Sequence, residues 1–495
     1  MKLCAYLHMF PPLHCAGSEV TVHVALREMV KRGHEVIVIA DRTPEDYEID
    51  GIQVKSLPEN QFHHSTVREI AKDADLLITH LDCTSLAMTL AVDLKKPLAH
   101  MIHNHAQLGY WQVPPHKAQL VVFNTHWVAE NETYKGEPWP GESVIVHPII
   151  EPEKYKCERG NKITLCNPTT GKGIETLHAL AEAMPDYEFL VVEGIYGEQI
   201  APPNLSDEWV AAHPNIEHMK NSPDFRDVLR KTRVMLMPSN YESYGRCAAE
   251  AACAGIPSIV HPTQGLWEAL GDGRRYPAVE TKYGVEGTAV IAQEVLPDGL
   301  FDGGLVNGAG IFCLRIDSVN KNDEMREAKE GVNASRLQTW KAQIERLFTD
   351  EVYYRSRVDA ALKLAASFDP AKDFDRLEEA LIKTAHNWNQ EGKTVAMWVS
   401  DRKIWETTDG SLVAEVNGRI PQDAVKLAAG IGTELPEDVA RIHGFLPTLE
   451  TAKEIVEGEP ESTLLNSKSM QPDEDKAIHA PAENKARKPR KQKVA

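Results

Sequence analysis

The chain has 495 residues, 42% of them hydrophobic and 26% charged, with a formal net charge of −19 at pH 7. These proportions are typical of globular proteins and exclude a fibrous, mostly disordered or disulfide-dense chain, while the negative charge argues against a general nucleic-acid-binding surface. No apolar run reaches the roughly 18 residues of a membrane span, the N-terminus lacks a signal-peptide pattern, and eight cysteines without a C-x-x-C pair predict buried free thiols and a cytoplasmic location.

The first part of the sequence alternates short apolar runs with helix-length segments. The runs are predicted to be strands, and a helix with apolar residues at helical spacing is predicted from Ser18 to a stop at Gly33. The predicted strands are residues 3–9, 35–40, 75–79, 97–103 and 120–123. Continuous apolar strands separated by helices indicate a parallel, doubly wound sheet that is buried on both faces.

The same pattern restarts near residue 162, after a connecting segment at 148–160. Predicted strands at 162–166, 187–192, 234–237 and 258–261 again alternate with helical segments. We therefore expect two Rossmann-like lobes, 1–155 and 156–335, that face each other across a cleft. A glycine-rich stretch at about 272–310 is expected to be an insertion. In such sheets, ligands bind outside the carboxyl ends of the strands.

The last third of the chain does not continue the alternation of strands and helices. Residues 336–392 are expected to form helices that brace the lobes, and 393–450 a small appended unit that begins with a hairpin. Residues 451–495 are polar, proline-interrupted and basic at the end, which is typical of a disordered tail. The appended unit and tail either recruit a partner or an anionic surface, or are a dispensable extension.

The most informative segment runs from Pro238 to Ala251. Glu242 lies in the loop after a predicted strand, Gly245 and Arg246 open a helix, and Glu250 lies one turn inside it. Amides at a helix start bind anions, and a neighbouring carboxylate can accept hydrogen bonds from paired sugar hydroxyls. Spacing alone also fits an alanine-rich helix with two solvated glutamates, but the position at a strand end favours a binding site.

This segment and several others resemble the retaining glycosyltransferases of the GT-B fold, in particular glycosyltransferase family 4. The resemblance covers about residues 1–390 without 272–310. It rests on Glu242 and Glu250 with seven residues between them, the flanking Pro238-Ser239, Tyr244-Gly245 and residues 254–257, and on Pro11-Pro12, residues 17–19, residues 32–36 and Lys172-Gly173.

The resemblance implies a metal-independent hexosyltransferase that moves a sugar from a nucleotide-diphosphate donor on the second lobe to a hydroxyl acceptor on the first. The acceptor (glycan, lipid, protein or small molecule) is not identified. The implied catalytic residues are Glu242, which contacts the transferred sugar, Lys172, which neutralises the diphosphate, and His103, with His105 as the fallback. The resemblance implies that Glu250 binds the ribose of the donor. The other expected donor-binding residues are Ser243, Tyr244, Gly245, Arg246, Gly17 and Asn167.

Asn167 departs from the family pattern. The family usually has an arginine five residues before the lysine, and the two cations clamp the diphosphate together. We hypothesise that Arg246 supplies the missing charge, because it lies beside the same helix start.

Two other functions stay open at this level: a GT-B nucleotide-sugar epimerase or phosphorylase, and a non-catalytic carbohydrate-binding protein. No cofactor or metal is expected. Asp73 and Asp75 imitate a metal motif but begin an apolar strand, and His103 and His105 lack a third ligand. The segment 169–173 lacks both ends of a P-loop.

Overall fold

The computed structural model describes residues 1–57, 64–110, 119–271, 305–313, 316 and 326–391, and the backbone of three strands between residues 395 and 416. The chain divides into a large unit, Met1–Gly410, and a second unit, Ser411–Ala495. Of the second unit, the structure describes one strand, Leu412–Val416. The expected tail at 451–495 and most of the appended unit lie outside the described residues.

The first lobe of the large unit is built on an eight-stranded sheet with the order β10-β7-β6-β5-β1-β2-β4-β3, in which only β3 runs antiparallel to its neighbour. Its strands are β1 (Lys2–Leu7), β2 (Glu35–Ala40), β3 (Tyr47–Ile49), β4 (Ile52–Ser56), β5 (Leu76–His80), β6 (Leu98–Ile102), β7 (Leu120–Phe123) and β10 (Glu142–Ile145), and β8 (Thr133–Tyr134) and β9 (Glu137–Pro138) form a separate ladder. Its helices are α1 (Gly17–Lys31), α2 (His64–Ala71), α3 (Thr84–Leu94) and α4 (His126–Asn131).

Both faces of this sheet are buried, as the apolar runs predict. In β1, Leu3 and Leu7 point to the face covered by α1, whereas Tyr6 points to the opposite face with Met88 of α3. A strand covered on both sides has no position at which a polar residue reaches water, which explains why its sequence is apolar throughout.

The second lobe contains a seven-stranded sheet with the order β13-β12-β11-β14-β15-β17-β16, parallel except for β16. Its strands are β11 (Lys162–Cys166), β12 (Phe189–Val192), β13 (Ile216–Met219), β14 (Thr232–Met237), β15 (Ser258–Val260), β16 (Leu305–Asn307) and β17 (Gly310–Phe312). Its helices are α5 (Ile174–Ala183), α6 (Asp207–Ala212), α7 (Arg226–Leu229), α8 (Arg246–Cys253) and α9 (Gln264–Leu270). The two-lobed α/β architecture is therefore confirmed.

The end of the expected insertion at 272–310 needs correction. The strands β16 and β17 form a hairpin around Gly308, and β17 pairs in parallel with β15, so residues 305–310 belong to the sheet. Glycines around these short strands obscure the strand pattern in the sequence, because a hairpin turn and a sheet edge both tolerate glycine. Residues 272–304 lie outside the described part of the chain.

Three long helices follow: α10 (Arg326–Thr349), α11 (Glu351–Ser367) and α12 (Pro370–Glu391). Trp340 and Ile344 of α10 are buried in the core of the second lobe, whereas Leu377 and Leu381 of α12 are buried in the core of the first lobe. The chain therefore crosses back to the first lobe after α11. A hairpin of Val395–Val399 and Arg402–Glu406 follows.

Two further findings bear on the sequence-based expectations. No helix in the described ranges is long and apolar enough to cross a membrane. All eight cysteines are free thiols, although Cys15, Cys157, Cys166 and Cys247 are only partly buried.

Candidate active site

A cavity of about 660 Å³ lies between the two lobes of the large unit. The first lobe contributes Cys15 and Ala16 of the loop before α1, and Gly17 and Val20 of the first turn of that helix. The second lobe contributes the segments that follow β11, β12 and β14 and the first turns of α8. The cavity therefore lies at the carboxyl ends of the strands of the second sheet, where doubly wound sheets bind their ligands.

Lys172 and Glu242 meet on the wall of this cavity. The Lys172 Nζ donates to Glu242 Oε1 at 2.6 Å, and the Ser239 hydroxyl donates to the same oxygen at 2.8 Å. Lys172 ends a short turn that is capped by the side chain of Thr169, and Gly173 follows with a φ of +80°. A Cβ on Gly173 would lie 2.4 Å from the Pro238 carbonyl oxygen, so the close approach of the two loops requires glycine there.

Glu250 and Arg246 form a buried ion pair on the same wall. Arg246 Nε donates to Glu250 Oε1 at 2.6 Å, and burial raises the pKa of Glu250 even though Arg246 and Tyr155 oppose that rise. The Arg246 guanidinium also reaches Thr21 Oγ1 at 3.3 Å and the Tyr155 hydroxyl at 3.1 Å. Because Thr21 belongs to α1, this arginine connects the lobes. The structure does not leave Arg246 as an unpaired cation that replaces the missing family arginine.

Asn167 faces the cavity as a neutral residue. It has a φ of +63°, and its Oδ1 accepts a hydrogen bond from Gln199 Nε2 at 2.8 Å. Among the described residues, four basic side chains line the cavity, and each has a carboxylate partner within 2.9 Å. These pairs are Lys154–Glu151, Lys172–Glu242, Arg226–Asp224 and Arg246–Glu250. An anionic ligand must therefore compete with a carboxylate for any of these cations.

Three of the expected donor-binding residues do not line the cavity. The Ser243 hydroxyl accepts a hydrogen bond from Asn124 Nδ2 of the first lobe at 2.9 Å. Tyr244 is buried and stacks on His147 with 5.6 Å between the ring centroids. Gly245 has a φ of +94° and opens α8. The side chains of Ser243 and Tyr244 thus point toward the first lobe and the core, and the donor-binding role of this segment stays a prediction.

His103, the third expected catalytic residue, also lies away from the cavity wall. Its Nε2 is 3.1 Å from His80 Nδ1, and its amide donates to Gln107 Oε1 at 2.9 Å. Burial lowers the pKa of His103 to about 4, which keeps the ring neutral at pH 7. The fallback residue His105 instead packs on Tyr241, with 4.6 Å between the ring centroids.

Tyr196 is a cavity residue that the sequence did not indicate. Its hydroxyl donates to Glu19 Oε1 at 2.7 Å and lies 3.0 Å from His8 Nε2, so a loop of the second lobe contacts the first lobe beside the cavity. No sequence signal marks Tyr196, because it lies in a loop without a motif. Glu19 carried a weak signal, because it follows Gly17 in the first turn of α1.

Two protein-family models match the sequence. The model described as Glycosyltransferase Family 4 matches residues 16–131, and the model described as Family 4 Glycosyltransferase in conflict systems matches residues 175–299. No curated protein sequence matches at a significant level.

Several solved structures share the architecture. HepE (Alr3699) of Anabaena, solved with UDP and glucose, has 13% identity and a TM-score of 0.53, over 77% of this chain and 99% of that chain. A glycosyltransferase of Rickettsia africae has 14% identity and a TM-score of 0.53, over 78% and 99%. The catalytic domain of starch synthase IV of Arabidopsis thaliana, bound to ADP and acarbose, has 10% identity and a TM-score of 0.50, over 78% and 99%.

The structural likenesses establish the fold, and the family models cover most of one lobe and a large part of the other. The chain is therefore a glycosyltransferase of the GT-B fold, related to glycosyltransferase family 4.

Proposed function

We propose that the protein is a retaining glycosyltransferase that transfers a sugar from a nucleotide-diphosphate donor to a hydroxyl acceptor. The observation that carries this proposal is the Lys172–Glu242 pair, which shares one cavity wall with Glu250 and faces Gly17 of the other lobe. The similar proteins support the donor class, because HepE was solved with UDP and starch synthase IV with ADP.

In this proposal the donor lies along the second lobe. The Glu250 carboxylate accepts hydrogen bonds from the ribose, while Arg246 holds it in place from the other side. The diphosphate attracts Lys172 away from Glu242, and the released Glu242 carboxylate then accepts hydrogen bonds from the hydroxyls of the transferred sugar. The Lys172–Glu242 ion pair is thus replaced by two contacts with the donor.

The reaction breaks the bond between the anomeric carbon and the phosphate oxygen, and both electrons stay with the departing diphosphate. A cation about 4 Å away stabilises this charge by at most about 4 kcal/mol at an effective dielectric constant of about 20, or about a thousandfold in rate. The acceptor oxygen forms the new bond on the same face of the sugar, and its proton passes to the departing phosphate oxygen. Because Lys172 meets the phosphate charge, we expect no requirement for added Mg²⁺ or Mn²⁺.

The test begins with a panel of nucleotide sugars in a thermal-shift assay, since a donor at a hundred times its Kd adds about 2.7 kcal/mol to stability. The donors that bind are then incubated with hydroxyl acceptors, and the products are identified by mass and by the anomeric configuration in NMR. If the product is a nucleotide sugar whose sugar has a changed configuration, the protein is an epimerase. If the product is a free sugar 1-phosphate, it is a phosphorylase. Binding without any turnover would indicate a carbohydrate-binding protein.

Lys172→Ala is expected to lower kcat about 10²–10³-fold, the loss that follows removal of one preorganised donor to a developing negative charge. The matched control is Lys154→Ala, because Lys154 also lines the cavity and pairs with a glutamate but lies outside the proposed diphosphate contact. Its kcat should stay within a few-fold of wild type. Equal losses in the two variants would contradict the role given to Lys172.

A further inference from the structure

A cluster of buried polar side chains lies in the first lobe, at the same sheet edge as the cavity. His8 follows β1, Glu19 lies in the first turn of α1, and His80 ends β5. The relative exposures of the three residues are 3%, 0% and 0%. One nitrogen or carboxylate oxygen of each lies within 4.8 Å of those of the other two, so the three side chains converge on one point.

One nitrogen of this cluster, His80 Nε2, is buried without a hydrogen-bond partner. His8 approaches the cluster through Nε2, which lies 3.2 Å from Glu19 Oε1. Buried polar atoms of native proteins are nearly always paired, and an unpaired one calls for an explanation such as a bound ion. The opposite nitrogen of His80 is occupied, because Nδ1 lies 3.1 Å from His103 Nε2.

The chemistry of the cluster fits a zinc ion. Two imidazoles and one glutamate are a ligand set that binds Zn²⁺ with a fourth position left open. Groups outside the ligands orient them in such sites, and here His103 contacts His80 while the Ser18 hydroxyl donates to Glu19 Oε2 at 3.0 Å. The Tyr196 hydroxyl lies within 3.0 Å of both Glu19 Oε1 and His8 Nε2.

We propose that His8, Glu19 and His80 bind one Zn²⁺ ion, and that Tyr196 of the second lobe covers it. The ion links β1, α1 and β5, and through Tyr196 it fastens a loop of the donor-binding lobe to the first lobe. It stabilises this arrangement and takes no part in breaking the sugar–phosphate bond. The proposal does not depend on which sugar is transferred.

A second cluster of possible ligands, His126, His147 and Glu268, fits less well. The side chain of His126 is 64% exposed, and Glu268 already accepts hydrogen bonds from both histidines and from two backbone amides. This cluster therefore provides a matched control for the buried one.

The test uses the full-length protein, stripped of metal and then dialysed against Zn²⁺. We expect one zinc per chain by elemental analysis, a higher Tm with zinc than without, and the visible absorption of tetrahedral Co²⁺ after cobalt substitution. His80→Ala should lose the bound zinc and the gain in Tm, whereas His126→Ala should keep both. Absence of stoichiometric zinc in the wild type would overturn the proposal, and so would zinc that survives His80→Ala or is lost in His126→Ala.

His103→Ala provides a second test if His80→Ala does not fold. This variant leaves all three ligands in place and removes only a positioning contact. Loss of such a contact is expected to weaken zinc binding about 10–100-fold, which a competing chelator measures. An unchanged zinc affinity would contradict the arrangement.

Discussion

At the scale of single residues, the buried Arg246–Glu250 pair shows how one side chain can serve both a ligand site and the fold. Arg246 and Glu250 are 9% and 6% exposed, and the arginine also contacts Thr21 of the other lobe. A buried charge that loses its partner is strongly unfavourable, because neither water nor an opposite charge compensates it. We therefore expect this pair to affect folding as well as donor binding.

Arg246→Met is expected to lower the free energy of unfolding by about 3–5 kcal/mol, because it leaves Glu250 buried and unpaired. The double variant Arg246→Met/Glu250→Gln removes both charges and should recover most of that loss. Urea denaturation of the two variants and the wild type measures the difference. If the double variant is no more stable than the single one, Arg246 does not stabilise the fold through its ion pair with Glu250.

The sequence predicted part of this site. Lys172, Glu242 and Glu250 each follow or adjoin the end of a predicted strand, and parallel strands bring their carboxyl ends to one edge, so that their meeting on one wall could be inferred. The partners of Arg246 could not be inferred, because Thr21 is 225 residues away. Such contacts depend on which loops of the two lobes face each other, and no local pattern encodes that.

At the scale of elements, helix α12 again separates what a local sequence pattern predicts from what depends on distant parts of the chain. A helix near residues 373–388 follows from its apolar spacing, but its packing partner does not. In the structure Leu377 and Leu381 are 3% and 2% exposed within the core of the first lobe, although α11 before them packs on the second. The loop of two residues between the helices is thus where the chain changes lobes.

Leu377→Ala is expected to lower the free energy of unfolding by about 2–5 kcal/mol, because it removes a buried side chain and leaves a cavity. Ile382→Ala on the same helix is the matched control, since Ile382 is 44% exposed, and its change should be within about 0.5 kcal/mol. Urea denaturation compares the two. Similar changes for both would show that α12 is not held by its buried face.

The strands also differ in how well the sequence predicts them. Central strands such as β2, β7 and β11 were predicted from continuous apolar runs at the observed positions, because burial on both faces leaves no other composition. The edge strands β3, β10 and β13 were not predicted. Each has three or four residues and several partly exposed side chains, so neither an apolar run nor a clear alternation marks it.

At the scale of the whole molecule, polar contacts join the two lobes at several separate places. They include Tyr241 with the His105 amide at 2.9 Å, Ser243 with Asn124, Tyr196 with Glu19, and Glu268 with the first turn of α4. Directional contacts of this kind fix one relative position of the lobes, and that position forms the cavity. A change in the charge of Glu19 or Glu268 is therefore expected to alter the stability of the contact between the lobes.

Glu268 of α9 is the contact whose charge can be changed most simply. Its carboxylate accepts hydrogen bonds from His147 Nε2 at 2.7 Å and from the amides of His126 and Trp127 at 2.8 and 3.1 Å. Burial raises the pKa of Glu268, but the hydrogen bonds from His147 and His126 outweigh it and bring the pKa to about 2, below the usual 4.5. The ionised form is therefore stabilised in the folded protein.

Because the folded pKa lies below the unfolded one, the stabilisation is present above pH 4.5 and is lost as the pH falls toward 2. The shift corresponds to about 3 kcal/mol. Glu268→Gln should therefore be less stable than the wild type at pH 7, and the difference should shrink as the pH falls from about 5 to about 3. Urea denaturation across this range measures it, with Glu208→Gln, an exposed residue of the same lobe, as the control that stays within about 0.5 kcal/mol of wild type. A difference for Glu268→Gln that does not change with pH would mean that the ionised carboxylate does not stabilise the contact between the lobes.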